Sequence, residues 1–256
     1  MKKFLGIMLA GVMALSLVAC GNSKQPAAST AESVDSGKQK LVMCTNAEFP
    51  PYEYKDAGEF KGIDVEAAKK IGEKLGYEVE IMDIAFDSII PTVNSGKADF
   101  GMAGMTVTED RLQNIDFSHT YQTAVQAVIV PTDSGIASID DMQGKKIGVQ
   151  LGTTGDIYCT GDFGEENISR YPKIVDGVQA MKSGMIDACV IDDQVAKAII
   201  EQDGGAFKIL DTPYAEEEYA IAVKKGNTDL LNKINAAIDE MKANGELAEI
   251  VGKYIK

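Results

Sequence analysis

FGMAGMTVTEDR, residues 100–111, is a short apolar segment that passes through small residues into an acidic helix start. Its first six residues are apolar and interrupted by Gly101 and Gly104, the pattern of a buried strand whose end lets a ligand approach the backbone. Thr108 can cap the following helix, its hydroxyl accepting from a free amide of the first turn. Arg111 falls inside that turn, where a cation opposes the helix dipole. It is therefore either a plain surface arginine or an arginine placed for an anion that sits over the free amides. The rest of the chain decides between these by supplying the other half of a small-molecule clamp.

Upstream, residues 41–45 read as a strand and 46–54, NAEFPPYEY, as a Pro-rich loop with three aromatics. Residues 62–75 read as an amphipathic helix opened by Gly62-Ile63-Asp64 and closed by Gly76, 77–82 as a strand, and 87–95 as a helix stopped by Gly96. Downstream the pattern returns: a strand at 145–150, Gly152-Thr153-Thr154-Gly155 at a helix start, a helix at 175–182 and a strand at 188–191. Ser183-Gly184-Met185-Ile186-Asp187 precedes that last strand as Ser95-Gly96-Lys97-Ala98-Asp99 precedes residues 100–105. Strands alternating with helices predict an α/β fold with parallel sheets and a ligand at the strand ends. The shared S-G-x-x-D predicts two lobes of related build. Extended runs at 121–130 and 218–223 read as crossings between them. One lobe is then 41–125 plus 216–256, with helices at 229–241 and 245–254, and the other is 126–215.

The N-terminus carries Lys2 and Lys3, an apolar run and Leu17-Val18-Ala19-Cys20. The run is too short for a comfortable membrane span and reads as a secretory signal over residues 1–19. Residues 20–40, rich in Ser, Ala, Gly, Gln and Lys, read as a flexible tether. The formal charge of −14 argues against nucleic acid and against direct binding to anionic lipid. Cys44 and Cys189 read as small buried hydrophobes, and a Cys159–Cys189 bridge stays open. The single histidine, His119, lies in a loop and reads as structural or solvated; no metal cluster, no cofactor motif and no Ser-His-Asp arrangement is expected. Glu216-Glu217-Glu218 reads as a solvated surface near the hinge.

Two resemblances add to this. LVAC resembles the bacterial lipobox, which implies cleavage before Cys20 and its diacylation, with palmitate among the chains, outside a membrane. From residue 41 onward the chain resembles the family 3 solute-binding proteins of bacterial ABC transporters, the polar amino-acid group. The motifs that carry the resemblance are NAEFPPYEY, GIDVEAAKKIGEKLG, FDSIIPTVNSGKADFGMAGMTVTEDR, IDFSHTYQ, KKIGVQLGTTG and SGMIDACVIDD, in the family's order. It implies a two-lobed periplasmic-binding-protein-like fold of type II on a two-strand hinge, a monomer that closes over an amino acid and hands it to a membrane permease. It places Asn46, Phe49 and Tyr52 in the cleft, with Phe49 and Phe86 sandwiching the ligand side chain. Gly104 and Thr106 would offer backbone and hydroxyl groups, Arg111 would grip the α-carboxylate, and Thr153 and Thr154 would bring amides to it. Asp193 would receive the α-ammonium, with Asp192 a neighbour or a helix cap. Gln150 bears on the side chain bound; with Asn46 and Glu48 it suggests a polar ligand, neutral or cationic. An enzyme of dehydratase type on the same fold, using Glu48, Asp192 or Asp193 as general acid, and a chemosensory binding module are the alternatives.

Overall fold

Residues 41–45 become β1 (Lys40–Thr45), buried along most of its length, as a strand covered on both faces must be. The computed structural model describes residues 39–255; Cys20, the signal and nearly all of the tether lie outside the described residues. After β1 comes a small antiparallel sheet of β2 (Glu48–Phe49), β3 (Glu53–Asp56) and β4 (Glu59–Lys61). The expected Pro-rich loop is thus partly strand, with Pro50 and Pro51 in the turn between β2 and β3. Helix α1 (Ile63–Leu75) follows, buries Ile63, Val65, Ala67, Ala68 and Ile71, and ends at Gly76 as its sequence predicts. β5 (Glu78–Asp83), α2 (Ile89–Asn94), β6 (Phe100–Gly101), α3 (Glu109–Leu112) and β7 (Ile115–Phe117) complete the first pass.

The second sheet is built from β8 (Gln122–Pro131), β9 (Ile147–Gln150), α4 (Thr154–Phe163), β10 (Ile168–Tyr171) and α5 (Ile174–Lys182). It continues with β11 (Ala188–Asp192), α6 (Asp193–Asp203), β12 (Phe207–Ile209) and β13 (Ala215–Tyr219). The chain then returns through β14 (Ala222–Lys224) to the first sheet, and α7 (Thr228–Ala243) and α8 (Glu246–Tyr254) pack against α1. The strand orders are β5-β1-β6-β14-β7 and β10-β9-β11-β8-β12, with β13 on β8. β5, β1 and β6 are parallel, as are β10, β9 and β11. Both sheets therefore present parallel strand ends, where ligands of open α/β sheets bind. The outgoing and returning passages are bonded to each other, Ser118 N–H to Ile221 O at 2.9 Å and Tyr121 N–H to Tyr219 O at 2.8 Å.

The S-G-x-x-D pair has one structural role in both sheets. Ser95 and Ser183 each donate to the carbonyl three residues back at 2.9 Å, and Gly96 and Gly184 turn the chain at φ 75° and 74°. Asp99 then accepts from Val42 N–H at 2.7 Å, and Asp187 from Lys146 N–H at 2.8 Å, each tying down the entry of the neighbouring parallel strand. Asp99→Ala is expected to cost about 1 to 3 kcal/mol, because it leaves a half-buried N–H without its charged partner. Asp187→Ala at its exposed equivalent should cost less, and the double variant should show the sum. Urea denaturation measures all three; an Asp99→Ala effect below about 0.5 kcal/mol would contradict this role.

Candidate functional site

The ends of β1, β6 and β9, the first turn of α4 and the middle of β8 converge on a tight space between the lobes, with a cavity volume of about 20 Å³. Phe49, Phe86, Ala103 and Gly104 wall it from the first lobe, Gln150, Thr153 and Thr154 from the second, and Gln126 and Tyr219 from the hinge strands. Among the residues expected here, Asn46, Phe49, Phe86, Gly104, Thr106, Arg111, Gln150, Thr153 and Thr154 all line this space.

The local folding explains Arg111. The 100–105 strand, central in its sheet, pairs for only two residues, because the chain then leaves the sheet to form the cavity wall. Gly104 takes φ 51° there, and a Cβ on it would come within 3.1 Å of the Phe49 ring and 3.2 Å of Tyr219. Thr108 caps α3 by accepting from Arg111 N–H at 3.2 Å, which turns the arginine back toward the cleft. Its guanidinium lies 5.4 Å from the centre of the Phe86 ring, donates to Thr106 O at 2.7 Å and reaches across the cleft to Gly152 O at 3.1 Å. Burial lowers its pKa from the ordinary arginine value, and nearby Glu217 works the other way; an arginine remains charged. Of its five N–H groups, two bonds leave donors for a ligand.

Facing Arg111 is the start of α4. Thr153 caps it, accepting from Asp156 N–H and donating to Gln150 O at 2.8 Å. The amides of Thr154 and Gly155 have no intrahelical partner, as at any helix start. Asp156 closes the preceding turn by accepting from Gly152 N–H at 3.1 Å, and Arg170 holds Asp156 at 2.7 Å. A buried guanidinium opposite open helix amides is a site for a carboxylate.

On the acidic side, neither Asp192 nor Asp193 is among the residues that line the space. The Asp193 carboxylate pairs with Lys197 at 2.6 Å, one turn along α6, and accepts from Gln194 Nε2 at 2.8 Å. Asp192, expected as a neighbour or cap, is fully buried. It does cap α6, through Gln194 and Val195 N–H, but its other oxygen accepts from Tyr219 OH at 2.8 Å and Tyr52 OH at 3.3 Å. The last residue of β11 points inward, and the helix that begins next turns Asp193 to the outside. Burial raises the Asp192 pKa to about 6 against the hydrogen bonds that lower it. Tyr52 does not wall the cavity. It lies behind Phe49, ring centres 5.8 Å apart, and meets Tyr219 edge-on at 5.3 Å.

Several cavity residues were not anticipated. Glu53 is buried on β3, lines the space and lies near the carboxylate of Asp64; burial lifts Glu53 well above the usual range and Asp64 to about 6. Asp64 in turn accepts from Gly104 N–H at 2.8 Å and Tyr121 OH at 2.7 Å, which fixes the Gly104 corner. Glu217, expected as solvated, is buried, because β13 alternates and only Glu216 and Glu218 face out. It accepts from Thr106 Oγ1 at 2.9 Å and Gln126 Nε2 at 3.0 Å. Period-two alternation within the Glu run, and a glutamine inside the apolar β8, were the available signals for Glu217 and Gln126.

Across the cleft Gln150 Nε2 donates to Asn46 Oδ1 at 2.8 Å, and Glu48 forms an ion pair with Lys173 instead of facing the cavity. Cys44, Cys159 and Cys189 are free and buried, so the bridge left open above is not formed. His119 is exposed beside Asp239, 2.9 Å away. Among the described residues no group of three or more His, Cys, Asp or Glu is arranged to hold a metal, and no helix is long and apolar enough to cross a membrane.

The model of the bacterial extracellular solute-binding proteins, family 3, matches residues 41–256. The chain is 38% identical to the arginine-binding extracellular protein ArtP of Bacillus subtilis (strain 168), covering 99% of this chain and 98% of that one. It is 33% identical to a probable histidine-binding protein of Neisseria gonorrhoeae, covering 99% and 96%. Among solved structures it resembles an ancestral arginine-binding protein bound to arginine, with a TM-score of 0.80, 41% identity and coverage of 86% and 99%. With the match running through both sheets and the cleft between them, the chain belongs to family 3 of the bacterial extracellular solute-binding proteins.

Proposed function

We propose that this protein captures a polar L-amino acid between its lobes and delivers it to an ABC transporter permease, as a monomer held outside the membrane by a diacylated Cys20. The observation that carries the reading is the opposition, across one cavity, of a buried guanidinium and the open amides at the start of α4. Arg111 and the amides of Thr154 and Gly155 take the α-carboxylate, and Asp192, behind the cavity wall, takes the α-ammonium on Oδ2 in exchange for its longer bond to Tyr52 OH. Phe49 and Phe86 flank the side chain, where aromatic faces exclude water and strengthen the polar contacts beside them. The names of the relatives support the amino-acid class, and LVAC at residues 17–20 supports the anchor.

The protein acts as a binder rather than a catalyst. A dehydratase would need a free general acid over the ligand, and each carboxyl considered for that is engaged: Glu48 with Lys173, Asp193 with Lys197, and Asp192 in four hydrogen bonds. Calorimetric titration of refolded, ligand-free protein with the twenty L-amino acids tests the reading. The expected result is a Kd in the micromolar range or tighter, about −8 kcal/mol or better, for at least one polar amino acid with no product by mass spectrometry. Absence of any amino-acid binding, or tightest binding to a branched aliphatic, would contradict it.

A further inference from the structure

One end of the cavity wall, formed by Asn46 and Gln150, has a hydrogen-bonding polarity set by two backbone carbonyls. Asn46 Nδ2 donates to Ile84 O at 3.0 Å, and Gln150 Nε2 donates to Pro172 O at 3.2 Å and to Asn46 Oδ1 at 2.8 Å. A carbonyl can only accept, so each amide must turn its NH₂ toward the carbonyl and its oxygen the other way. Both N–H groups of Gln150 are then consumed inside the protein. What Gln150 keeps for a ligand is Oε1, a pure acceptor. Asn46 keeps the second lone pair of Oδ1 and one N–H. Acceptors therefore outnumber donors at this end by two to one.

The hinge end repeats the bias. Thr106 spends its hydroxyl proton on Glu217, and Gln126 directs its amide nitrogen to the same carboxylate oxygen. Both line the cavity and are left chiefly with lone pairs to offer. Across Asn46, Gln150, Thr106 and Gln126, the polar atoms left for a ligand are mostly acceptors. Glu48 adds no free charge to this count, because Lys173 pairs with it.

On the reading that the ligand is an L-amino acid, we infer that its side chain ends in N–H donors alone, a guanidinium or an ammonium, with Gln150 and Asn46 as the residues that select it. A carboxylate would set acceptor against acceptor. A neutral amide or urea would turn its own carbonyl toward one of the two oxygens, or crowd it onto the single N–H of Asn46. An aliphatic end would leave the buried oxygens unpaired.

L-Citrulline replaces one nitrogen of the arginine side-chain head by oxygen at nearly constant shape, so it isolates the polarity from size. Calorimetry on the full chain, freed of co-purifying ligand by unfolding and refolding, compares L-arginine, L-lysine, L-citrulline and L-glutamate. Arginine or lysine should bind at least about tenfold tighter than citrulline and about a hundredfold tighter than glutamate. Gln150→Leu, with its folding checked by thermal denaturation, should shrink the arginine-to-citrulline ratio to within about threefold, since the selecting oxygen is gone. Asn46→Asp, which adds an anion at the same end, should widen it. Citrulline or glutamate binding as tightly as both cations would overturn the inference while leaving the amino-acid reading intact. An unchanged ratio in both variants would overturn the assignment to Gln150 and Asn46. Binding of none of the twenty amino acids would remove the underlying reading and this inference with it.

Discussion

Replacing Arg111 with alanine is expected to weaken amino-acid binding by about 2 to 5 kcal/mol, a rise in Kd of roughly thirtyfold to several thousandfold. The side chain is only 8% exposed, so its charge acts in a medium where water screens little. Guanidinium and carboxylate meet through two parallel hydrogen bonds, each about twice as strong as a neutral one. Removing the fork leaves the ligand carboxylate with the α4 amides alone. It also frees Thr106 O and Gly152 O, so one tie between the lobes is lost in the same step. Arg111→Lys should fall between, since it keeps a charge but not the planar fork. Calorimetry on variants shown to melt cooperatively measures this, and an alanine effect within threefold would remove Arg111 from the carboxylate site.

The second large effect separates adjacent aspartates. Asp192→Asn is expected to weaken binding by at least about tenfold, because a neutral amide replaces a buried carboxylate as partner of the ammonium. Asparagine still caps a helix, so α6 should persist. Asp193→Asn should change affinity less than about threefold, since that carboxylate serves a partly exposed pair with Lys197 and a bond from Gln194. The pH dependence carries the same signature with two opposite signs. Folding raises the Asp192 pKa from 3.8 to about 6, so the native chain holds this proton more tightly than the unfolded one. As pH falls from about 6 toward 3.8 the group therefore adds stability to the ligand-free protein, and below 3.8 it adds no more. Affinity runs the other way. The ammonium needs the ionised form, so binding should weaken by up to about tenfold per pH unit below about 6. Asp64 shifts in the same direction for the same reason. Comparing wild type with Asp192→Asn isolates the contribution of Asp192 from the surface ion pairs that acid also breaks. Equal pH profiles for the two proteins, or a stronger effect of Asp193→Asn, would assign the ammonium elsewhere.

Much of this was legible in the chain itself. The α/β alternation, the caps at Gly76 and Thr108, the helix start at Thr153 and the repeated S-G-x-x-D follow from local chemistry, since each depends on neighbours in sequence. What was missed depends on which way a side chain points. Asp192 and Asp193 differ in composition not at all, and only the change from strand to helix between them sends one inward. Glu217 looked like part of an acidic surface because three consecutive charges hide the alternation of a strand. Glu53 sits between two tyrosines in a segment read as loop, so nothing local marks it as buried; its neighbour Asp64 arrives from α1. Tyr52 was placed at the ligand, whereas packing puts Phe49 in front of it. Long-range partners decide each of these, and a single sequence does not display them.

The most direct measurement is a crystal structure of the protein grown with its tightest-binding amino acid. The α-carboxylate is expected in a two-bond contact with the Arg111 guanidinium and on the amide of Thr154 or Gly155, the α-ammonium within hydrogen-bond distance of Asp192, and the side chain between Phe49 and Phe86. An amino acid bound with its carboxylate away from Arg111, or outside the space between the lobes, would contradict this assignment.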